Sequence, residues 1–255
     1  MNVHGLHVRD HEGRGTDPLV VLVHGSMDRG AAFARVMAGL DDLDVCRYDR
    51  RGYGSSVHEG EGLGLEGHLT DLGAVVGDRR CVLVGHSFGG VLALVMAARH
   101  PERVLAVAAY EAPMQWRPWW PTDSAGTTAA RRSEEGASGP AAAEGFLRQV
   151  LGDERFETLP GREQRLAEGV ALVAELRSLR HVPAPYEACT LPVPVVAGTG
   201  TLSPPHMQRA AGVLAEEAPL GELYVLEGAD HGAHVRRPDD FAAFARRAVA
   251  LAEGA

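Results

Sequence analysis

The sequence predicts an α/β fold in which a predominantly parallel, doubly wound sheet is covered by helices on both faces. First, continuously apolar runs, typical of buried strands, alternate along the chain with segments of helical periodicity. Second, a chain of 255 residues with 45% hydrophobic and 23% charged residues suits one large globular domain. Third, one long stretch rich in Pro, Gly, Ser and Ala indicates an insertion between two strands of the sheet.

The predicted elements follow one another in a regular order on both sides of that insertion. Before it, strands are expected at 19–25, 44–49, 81–85 and 103–111, with helices near 29–40, 65–77 and 88–99. After it, strands are expected at 193–198 and 222–228, with helices near 205–217 and 238–252. The N-terminal segment 3–8 is a candidate antiparallel edge strand.

The insertion is expected to divide the chain into a core of two parts, 1–112 and 191–255, and a helical cap at 113–190 placed after the sixth strand. Residues 113–140 are rich in Pro, Gly, Ser and Ala, and a solvated loop is expected at 131–136. Residues 141–181 are expected to form two or three helices. An insertion of about 75 residues far exceeds the roughly 2–6 residue loops that usually join strands and helices in such folds.

Charge and composition limit the classes of partner. The formal net charge is -9 and no basic run occurs, which argues against nucleic acid or an anionic membrane as a partner. The N-terminus has no apolar core of signal-peptide type, and no window approaches about 18 uninterrupted apolar residues. We therefore expect a cytoplasmic monomer or homodimer that acts on a small-molecule substrate. The spacing of Cys46, Cys81 and Cys189 does not suit a metal site, and we expect neither a metal nor another cofactor.

A serine lies in a glycine-rich turn between a predicted strand and a predicted helix. The sequence Gly-His-Ser-Phe-Gly at 85–89 matches the G-x-S-x-G nucleophile elbow, in the strand–turn–helix context that this motif requires. Such a turn lifts the Ser87 hydroxyl above the sheet, and glycines stand where neighbouring backbone leaves no space for a Cβ. The backbone N–H of Phe88, at the start of the helix, is then expected to point at a developing oxyanion.

With this motif the chain resembles the α/β-hydrolase superfamily, and it does so over nearly its whole length. The segment VLVHGSMD at 21–28 resembles the one that follows the superfamily's third strand, which implies a second oxyanion N–H from Ser26. The segment YDRRGYGSS at 48–56 resembles a turn whose role in the superfamily is mainly structural. We therefore assign no catalytic part to Asp49 or Arg51.

The same resemblance indicates the catalytic histidine. The segment LEGADHGAHVRRP at 226–238 is similar to the superfamily loop after strand eight that carries this residue, and His231 takes its position. His234, three residues further on, is the alternative, but it lies past the tip of the loop and is expected to be an ordinary polar residue.

The acid that completes a triad is missing from its usual place. The superfamily usually carries it just after strand seven, yet residues 199–215 contain no Asp or Glu, and Thr201 or a neighbour holds the position. Glu111 at the end of strand six is the candidate, since some branches, haloalkane dehalogenases among them, take their acid from there. The order Ser87, Glu111, His231 keeps the sequence of nucleophile, acid and base. A dyad supported by water or Thr stays open, as does a purely structural Glu111; Asp230 is too close to His231 in sequence to reach its Nδ1.

These residues predict a hydrolase of the carboxylic ester type. A serine nucleophile supports an acyl-enzyme intermediate on an ester, lactone or thioester of a small apolar substrate. Dehalogenases and epoxide hydrolases of this fold instead need an aspartate at the elbow. Trp116, Trp119 and Trp120 are expected either to line an acyl pocket or to pack the cap onto the core.

Three other functions stay open at this point. An acyltransferase or cyclase could use the same Ser–His pair, and a weakly catalytic, receptor-like protein could use the same pocket for binding. Cofactor-free oxygen chemistry uses an elbow serine and a histidine in another way. Membership of a superfamily does not choose among them.

Overall fold

The computed structural model describes residues 2–11, 13, 18–56, 64–180 and 184–254, and a single mixed sheet lies at its centre. Its strands are β1 (Asn2–Val3), β2 (Leu6–His11), β3 (Leu19–Val23), β4 (Val45–Tyr48), β5 (Cys81–His86), β6 (Val104–Tyr110), β7 (Val195–Gly200) and β8 (Gly221–Leu226). In the described ranges the sheet has eight strands in the order β1-β2-β4-β3-β5-β6-β7-β8. Strands β3 to β8 pair in parallel, and β2 pairs antiparallel with β1 and with β4.

Helices connect the strands and cover both faces of the sheet. They are α1 (Ala34–Ala38), α2 (Leu65–Val76), α3 (Phe88–Arg99), α4 (Ala125–Glu134), α5 (Gly139–Leu151), α6 (Asp153–Glu157), α7 (Arg162–Ala167), α8 (Gly169–Arg180), α9 (Pro205–Glu217), α10 (Ala233–Arg236) and α11 (Pro238–Glu253). Within the described ranges, none of them is long and apolar enough to cross a membrane.

The central strand β3 is apolar throughout because both of its faces are buried. Along β3, Val21 and Val23 join the cluster that contains α3, whereas Val20 and Leu22 join the cluster that contains α11. All five residues of β3 are buried, so the usual alternation of apolar and polar residues disappears. The predicted doubly wound sheet and its antiparallel N-terminal strand are therefore confirmed.

The segment predicted as a helix at 29–40 differs from the expectation. It begins with a 3-10 turn at Gly30–Phe33, and a regular helix follows only at Ala34–Ala38. The start of the segment lies against β4, where a Cβ on Gly30 would come within 2.8 Å of the Tyr48 backbone. Asp49 Oδ1 also accepts a hydrogen bond from the Gly30 N–H at 2.8 Å, and this bond holds the start of the segment against the end of β4.

The chain between β6 and β7 is more helical than its composition predicts. The expectation of a solvated loop at 131–136 was wrong, because α4 occupies Ala125–Glu134. Ser124 begins this helix by accepting a hydrogen bond from the Thr127 N–H at 3.3 Å. Four helices, α5 to α8, occupy the described residues from 139 to 180, where two or three were expected. We refer to α4–α8 as the inserted helices.

Candidate active site

The turn at Ser87 has the geometry of a nucleophile elbow. Ser87 lies between β5 and α3 with φ 52° and ψ -122°, a conformation that is strained for a residue with a side chain. The chain passes so close to its neighbours that a Cβ on Gly89 would lie 2.1 Å from the Val23 carbonyl oxygen. A hydrogen bond of 2.8 Å from the Ser87 N–H to the Tyr110 carbonyl fixes the turn against β6. The strand, the turn and the helix therefore hold this serine in one orientation.

Glu111 is fully buried at the end of β6 and contacts the candidate histidine. Its backbone also has a positive φ, 49°, and is fixed by a hydrogen bond from its N–H to the Gly198 carbonyl at 2.9 Å. One carboxylate oxygen accepts from Thr199 Oγ1 at 3.1 Å and from the Gly200 N–H at 3.2 Å. The other accepts from His231 Nδ1 at 2.6 Å. Burial alone would raise the pKa of Glu111, but the hydrogen bond from His231, its charge and the Gly200 N–H outweigh burial and lower the pKa, so the group is a carboxylate.

His231 lies in the loop between β8 and α10, and this loop is held by residues from the centre of the sheet. His86 Nε2 donates to the His231 carbonyl at 2.8 Å, and the Tyr110 hydroxyl donates to the Asp230 carbonyl at 2.9 Å. The His231 side chain is 25% exposed, whereas that of Glu111 is 0% exposed. The imidazole therefore meets a buried carboxylate at Nδ1 and keeps part of its surface accessible.

The alternative partners for the histidine are engaged elsewhere. Thr201, in the usual position of the acid, directs its Oγ1 to Glu227 at 3.3 Å in the turn after β8. Asp230 accepts hydrogen bonds from Arg236 Nε and from the Gly232 N–H, each at 3.0 Å. The carboxylate that reaches His231 is the one at the end of β6.

His234 contacts a different carboxylate from His231. Its Nε2 donates to Asp28 Oδ2 at 2.8 Å, and its ring centroid lies 4.1 Å from that of His86. Burial lowers the pKa of His86 far below its usual range, and the neighbouring His234 and His231 add to this effect. Among the described residues, Asp28, His86 and His234 also form the one group whose donor atoms all lie within 4.8 Å of one another, as a metal site would need. Two of these residues already share a hydrogen bond, so the group is a His–Asp pair with His86 beside it, next to the loop that carries His231.

The two candidate oxyanion residues lie beside the serine, and a residue that the motifs did not indicate joins them. Ser26, Phe88 and Ser87 all line one cavity. Ser26 Oγ donates to Glu175 Oε2 of α8 at 2.6 Å, and Glu175 also binds Arg50. Burial alone would raise the pKa of Glu175, but the Arg50 charge and further hydrogen bonds lower it to about 2. A glutamate within the apolar periodicity of α8 was the signal in the sequence, although its partners lie far away along the chain.

A cavity of about 320 Å³ lies above the elbow, in the size range of small-molecule sites. Both Ser87 and His231 line it. Among the described residues, the hydrogen bond of the His231 side chain goes to Glu111 and none joins it to Ser87. Catalytic hydrogen bonds are often long before substrate binds. The other lining residues come from the core and from the inserted helices: Ser26, Phe88, Pro113, Gln115, Trp120, Pro121, Asp123, Ser124, Ala125, Gly126, Phe146, Gln149, Val150, Leu176, Leu179, Pro204, His206 and Met207.

The three tryptophans have different surroundings. Trp120 lines the cavity, and its ring makes an edge contact with His206 at 4.9 Å between centroids. Trp116 instead packs edge-on against Tyr186 at 5.4 Å, and Trp119 lies under the Arg209 guanidinium at 4.5 Å. Neither of these two is among the described residues that line the cavity.

A comparison with known proteins identifies the family of this chain. The family model described as "Alpha/beta hydrolase family" matches residues 20–244. The chain belongs to the alpha/beta hydrolase family. A 2-(acetamidomethylene)succinate hydrolase from Mesorhizobium japonicum is 26% identical over 248 residues, which cover 89% of this chain and 84% of the relative. A pimeloyl-[acyl-carrier protein] methyl ester esterase from Aeromonas hydrophila subsp. hydrophila is 28% identical over 237 residues, which cover 89% of this chain and 93% of the relative.

A solved structure supports the fold as well. The enol-lactonase from Burkholderia xenovorans LB400 superimposes with a TM-score of 0.71 over 98% of this chain and 97% of that chain, at 22% identity. At that identity the likeness concerns the fold alone. Because the two curated relatives are hydrolases, the activity that the comparisons support at the coarse level is hydrolysis, and the chain is a hydrolase.

Proposed function

We propose that this hydrolase cleaves a carboxylic ester, lactone or thioester of a small apolar substrate through an acyl-enzyme on Ser87. The observation that carries the proposal is the 2.6 Å hydrogen bond between His231 Nδ1 and the buried Glu111, at a cavity that Ser87 also lines. A carboxylate at Nδ1 keeps a proton on that nitrogen and leaves Nε2 free to act as a base. Nucleophile, acid and base then follow one another along the chain as Ser87, Glu111 and His231, which is the order of the α/β-hydrolase superfamily.

The reaction then follows from the positions of these groups. Ser87 Oγ forms a bond to the carbonyl carbon while His231 Nε2 takes its proton, and the charge develops on the carbonyl oxygen. The backbone N–H groups of Ser26 and Phe88 stabilise that oxyanion, and Phe88 stands at the positive end of α3. Collapse of the intermediate breaks the bond to the leaving group, which receives the proton from His231 and departs. Water repeats the sequence, releasing the acid and restoring Ser87.

The lining of the cavity favours a neutral acyl group. Apolar residues such as Phe146, Leu176 and Leu179 make up much of it, and Asp123 is its one carboxylate among the described residues. No arginine is in that described lining, and the sequence has no lysine. A substrate carboxylate in the cavity would therefore find no arginine or lysine among the described lining residues to pair with it. For this reason we do not transfer the succinate-type substrate of the Mesorhizobium relative to this chain.

We propose that the inserted helices act as the cap expected at 113–190, because they supply part of this cavity. Residues of α4 and α5, among them Gly126, Phe146 and Gln149, line it together with Ser87. A wall of this kind excludes water from the first step and sets the length of the acyl group that fits.

Hydrolysis of a chain-length series of p-nitrophenyl esters tests the proposal. We expect turnover by the wild type with an optimum at a medium chain length, and none above background for Ser87→Ala. In a matched pair, p-nitrophenyl hexanoate should be a better substrate than the p-nitrophenyl monoester of adipic acid, which differs by a terminal carboxylate. Turnover retained by Ser87→Ala would refute the nucleophile, and a preference for the anionic ester would refute the substrate class.

A further inference from the structure

We propose that Glu175 of α8 is a positioning residue for the oxyanion hole, acting through Ser26 and Arg50. The residues that follow β3, at positions 24–29, are called here the 24–29 loop. The inference rests on the proposed function, because it assigns a role to Glu175 in that same reaction. It also gives the inserted helices a task beyond lining the cavity, namely to fix the backbone that carries one of the two N–H donors.

The first observation is the side-chain hydrogen bond between the 24–29 loop and α8. Ser26 Oγ donates to Glu175 Oε2 at 2.6 Å, across 149 positions of sequence. Ser26 is also the residue whose backbone N–H is expected to bind the oxyanion. Its side chain therefore anchors the residue from one side, while its amide serves the reaction. A hydrogen bond to a carboxylate is shorter and stronger than one between neutral groups.

The second observation is that Arg50 joins Glu175 to both oxyanion residues. Arg50 and Glu175 are both 0% exposed and form an ion pair through Arg50 Nη1 and Glu175 Oε1. Arg50 also donates to the carbonyls of His24 and Gly25, each at 2.9 Å, and so holds the residues just before Ser26. Its guanidinium carbon lies 5.0 Å from the centroid of the Phe88 ring. One buried ion pair therefore touches the chain on either side of the hole.

Two further contacts bind the rest of the loop to α7 and to the residue that follows it. Arg165 Nη1 donates to the Met27 carbonyl at 2.6 Å, and Met27 itself has a positive φ of 58°. Arg29 donates to Glu168 Oε1 at 2.6 Å. Met27 is the residue directly after Ser26, so these contacts hold a strained backbone at the point where the N–H must be aimed.

Energetics favour a positioning role over a role in stability. A buried ion pair is seldom more stabilising than well-packed apolar residues of the same volume, because both charges lose their hydration. An oxyanion donor, in contrast, works only within about 2.7–3.1 Å of the developing charge. Glu175 is a fully buried carboxylate with three polar partners, Ser26, Arg50 and His68, and such a group suits the precise positioning of an oxyanion donor. The His68 Nε2 atom lies 3.0 Å from Glu175 Oε1 and completes the set.

The first variant is Ser26→Ala, which removes the hydroxyl and leaves the Ser26 amide and the Arg50–Glu175 pair in place. We expect kcat for the preferred p-nitrophenyl ester to fall ~10–100-fold, as for a reacting group misplaced by about an ångström, with KM nearly unchanged. The inhibition constant of a matched alkyl trifluoromethyl ketone, which forms an oxyanion on Ser87, should rise by a similar factor. Ser26→Thr keeps the hydroxyl and should restore most of the activity. Ser55→Ala is the matched control, because Ser55 is exposed and contacts Asp49 through its backbone N–H.

The second variant is Glu175→Gln, which tests whether the carboxylate is the partner that matters. We expect a loss of kcat at least as large as for Ser26→Ala, together with a lower melting temperature, because Arg50 is left without its counter-charge. The double variant should lose little more than Glu175→Gln alone, since both changes act on the same contact between Ser26 and residue 175. Glu163→Gln, at an exposed position of α7, is the control.

The outcomes separate this inference from the proposed function. Wild-type kcat and ketone inhibition in Ser26→Ala would overturn the positioning role while leaving the triad intact. Fully additive losses in the double variant would overturn the shared bond. A wild type that neither hydrolyses esters nor reacts at Ser87 with a fluorophosphonate would overturn the proposed function itself, and this inference with it.

Discussion

Replacing Glu111 by glutamine is the sharpest test of the acid at the end of β6. Glu111 accepts hydrogen bonds from three donors, Thr199 Oγ1, the Gly200 N–H and His231 Nδ1, and its side chain is fully buried. Glutamine has nearly the same shape but only one acceptor oxygen, and its amide group donates. Whichever way the amide turns, its NH2 group faces either His231 Nδ1–H or the Gly200 N–H, and both of these are donors. His231 then loses the charge that stabilises its protonated form and the group that keeps the proton on Nδ1.

The expected loss follows from the role of this group. An isosteric amide in place of the triad acid of a serine protease lowers kcat about 10⁴-fold, or roughly 5.5 kcal/mol. We expect a loss of ~10²–10⁴ in Glu111→Gln, since oxyanion stabilisation and the nucleophile remain. Donors left unsatisfied in a buried site also cost about 1–3 kcal/mol of stability, so the melting temperature should fall as well.

The assay is steady-state hydrolysis of the preferred p-nitrophenyl ester at several pH values, with a thermal melt of each variant. Glu216→Gln is the matched control, because Glu216 is exposed on α9. A folded Glu111→Gln variant with kcat within about threefold of the wild type would refute the reasoning. In that case His231 would act in a dyad, and the 2.6 Å contact would serve only the structure.

Three further predictions concern packing, specificity and acid stability. A Cβ on Gly89 would lie 2.1 Å from the Val23 carbonyl oxygen, so Gly89→Ala should prevent folding. A Cβ on Gly212 of α9 would meet no atom within 4 Å, so the control Gly212→Ala should be neutral or stabilising by up to about 1 kcal/mol in a urea titration. Trp120→Phe should move the optimum of the ester series toward longer chains, because Trp120 lines the cavity; an unmoved optimum would contradict that position. Burial lowers the pKa of His24 to about 3, and Arg50 lowers that of Glu175 to about 2, both below the values of the unfolded chain. The free energy of unfolding should therefore be highest above pH ~6.5 and fall as the pH drops toward 3 in urea titrations, with roughly 5 kcal/mol at most from His24; a flat profile would contradict the burial of both groups.

The sheet and the elbow could be predicted because their signals are local. The run 103–111 became β6 at Val104–Tyr110, since a strand buried on both faces needs an unbroken apolar sequence. The elbow needs Gly89 and a serine at fixed spacing, and a motif records such spacing. The acid was harder to predict, because Glu111 is identified only by its contact with His231, which lies in the loop after β8. Its link to His231 spans 120 positions, and no periodicity encodes that.

The inserted helices show where sequence reasoning ends. The segment at 131–136 was predicted to be a solvated loop, yet its first four residues belong to α4. This helix begins at Ala125, where Ser124 Oγ accepts a hydrogen bond from the Thr127 N–H. Within α8, the apolar spacing of Leu172, Leu176 and Leu179 predicts a buried face and leaves Glu175 on it as an exception. A buried carboxylate signals a partner. Which partner it has depends on how the helix docks, and the motif had directed attention to Arg51 rather than to the neighbouring Arg50.

Covalent trapping of Ser87 tests the central claim most directly. The wild type and Ser87→Ala would be treated with an alkyl fluorophosphonate, and the products measured by intact-protein and peptide mass spectrometry. The account predicts one adduct per wild-type chain, located on Ser87, with loss of esterase activity at the same rate, and no adduct on Ser87→Ala. An unlabelled wild type, or an adduct that persists in Ser87→Ala, would contradict the account.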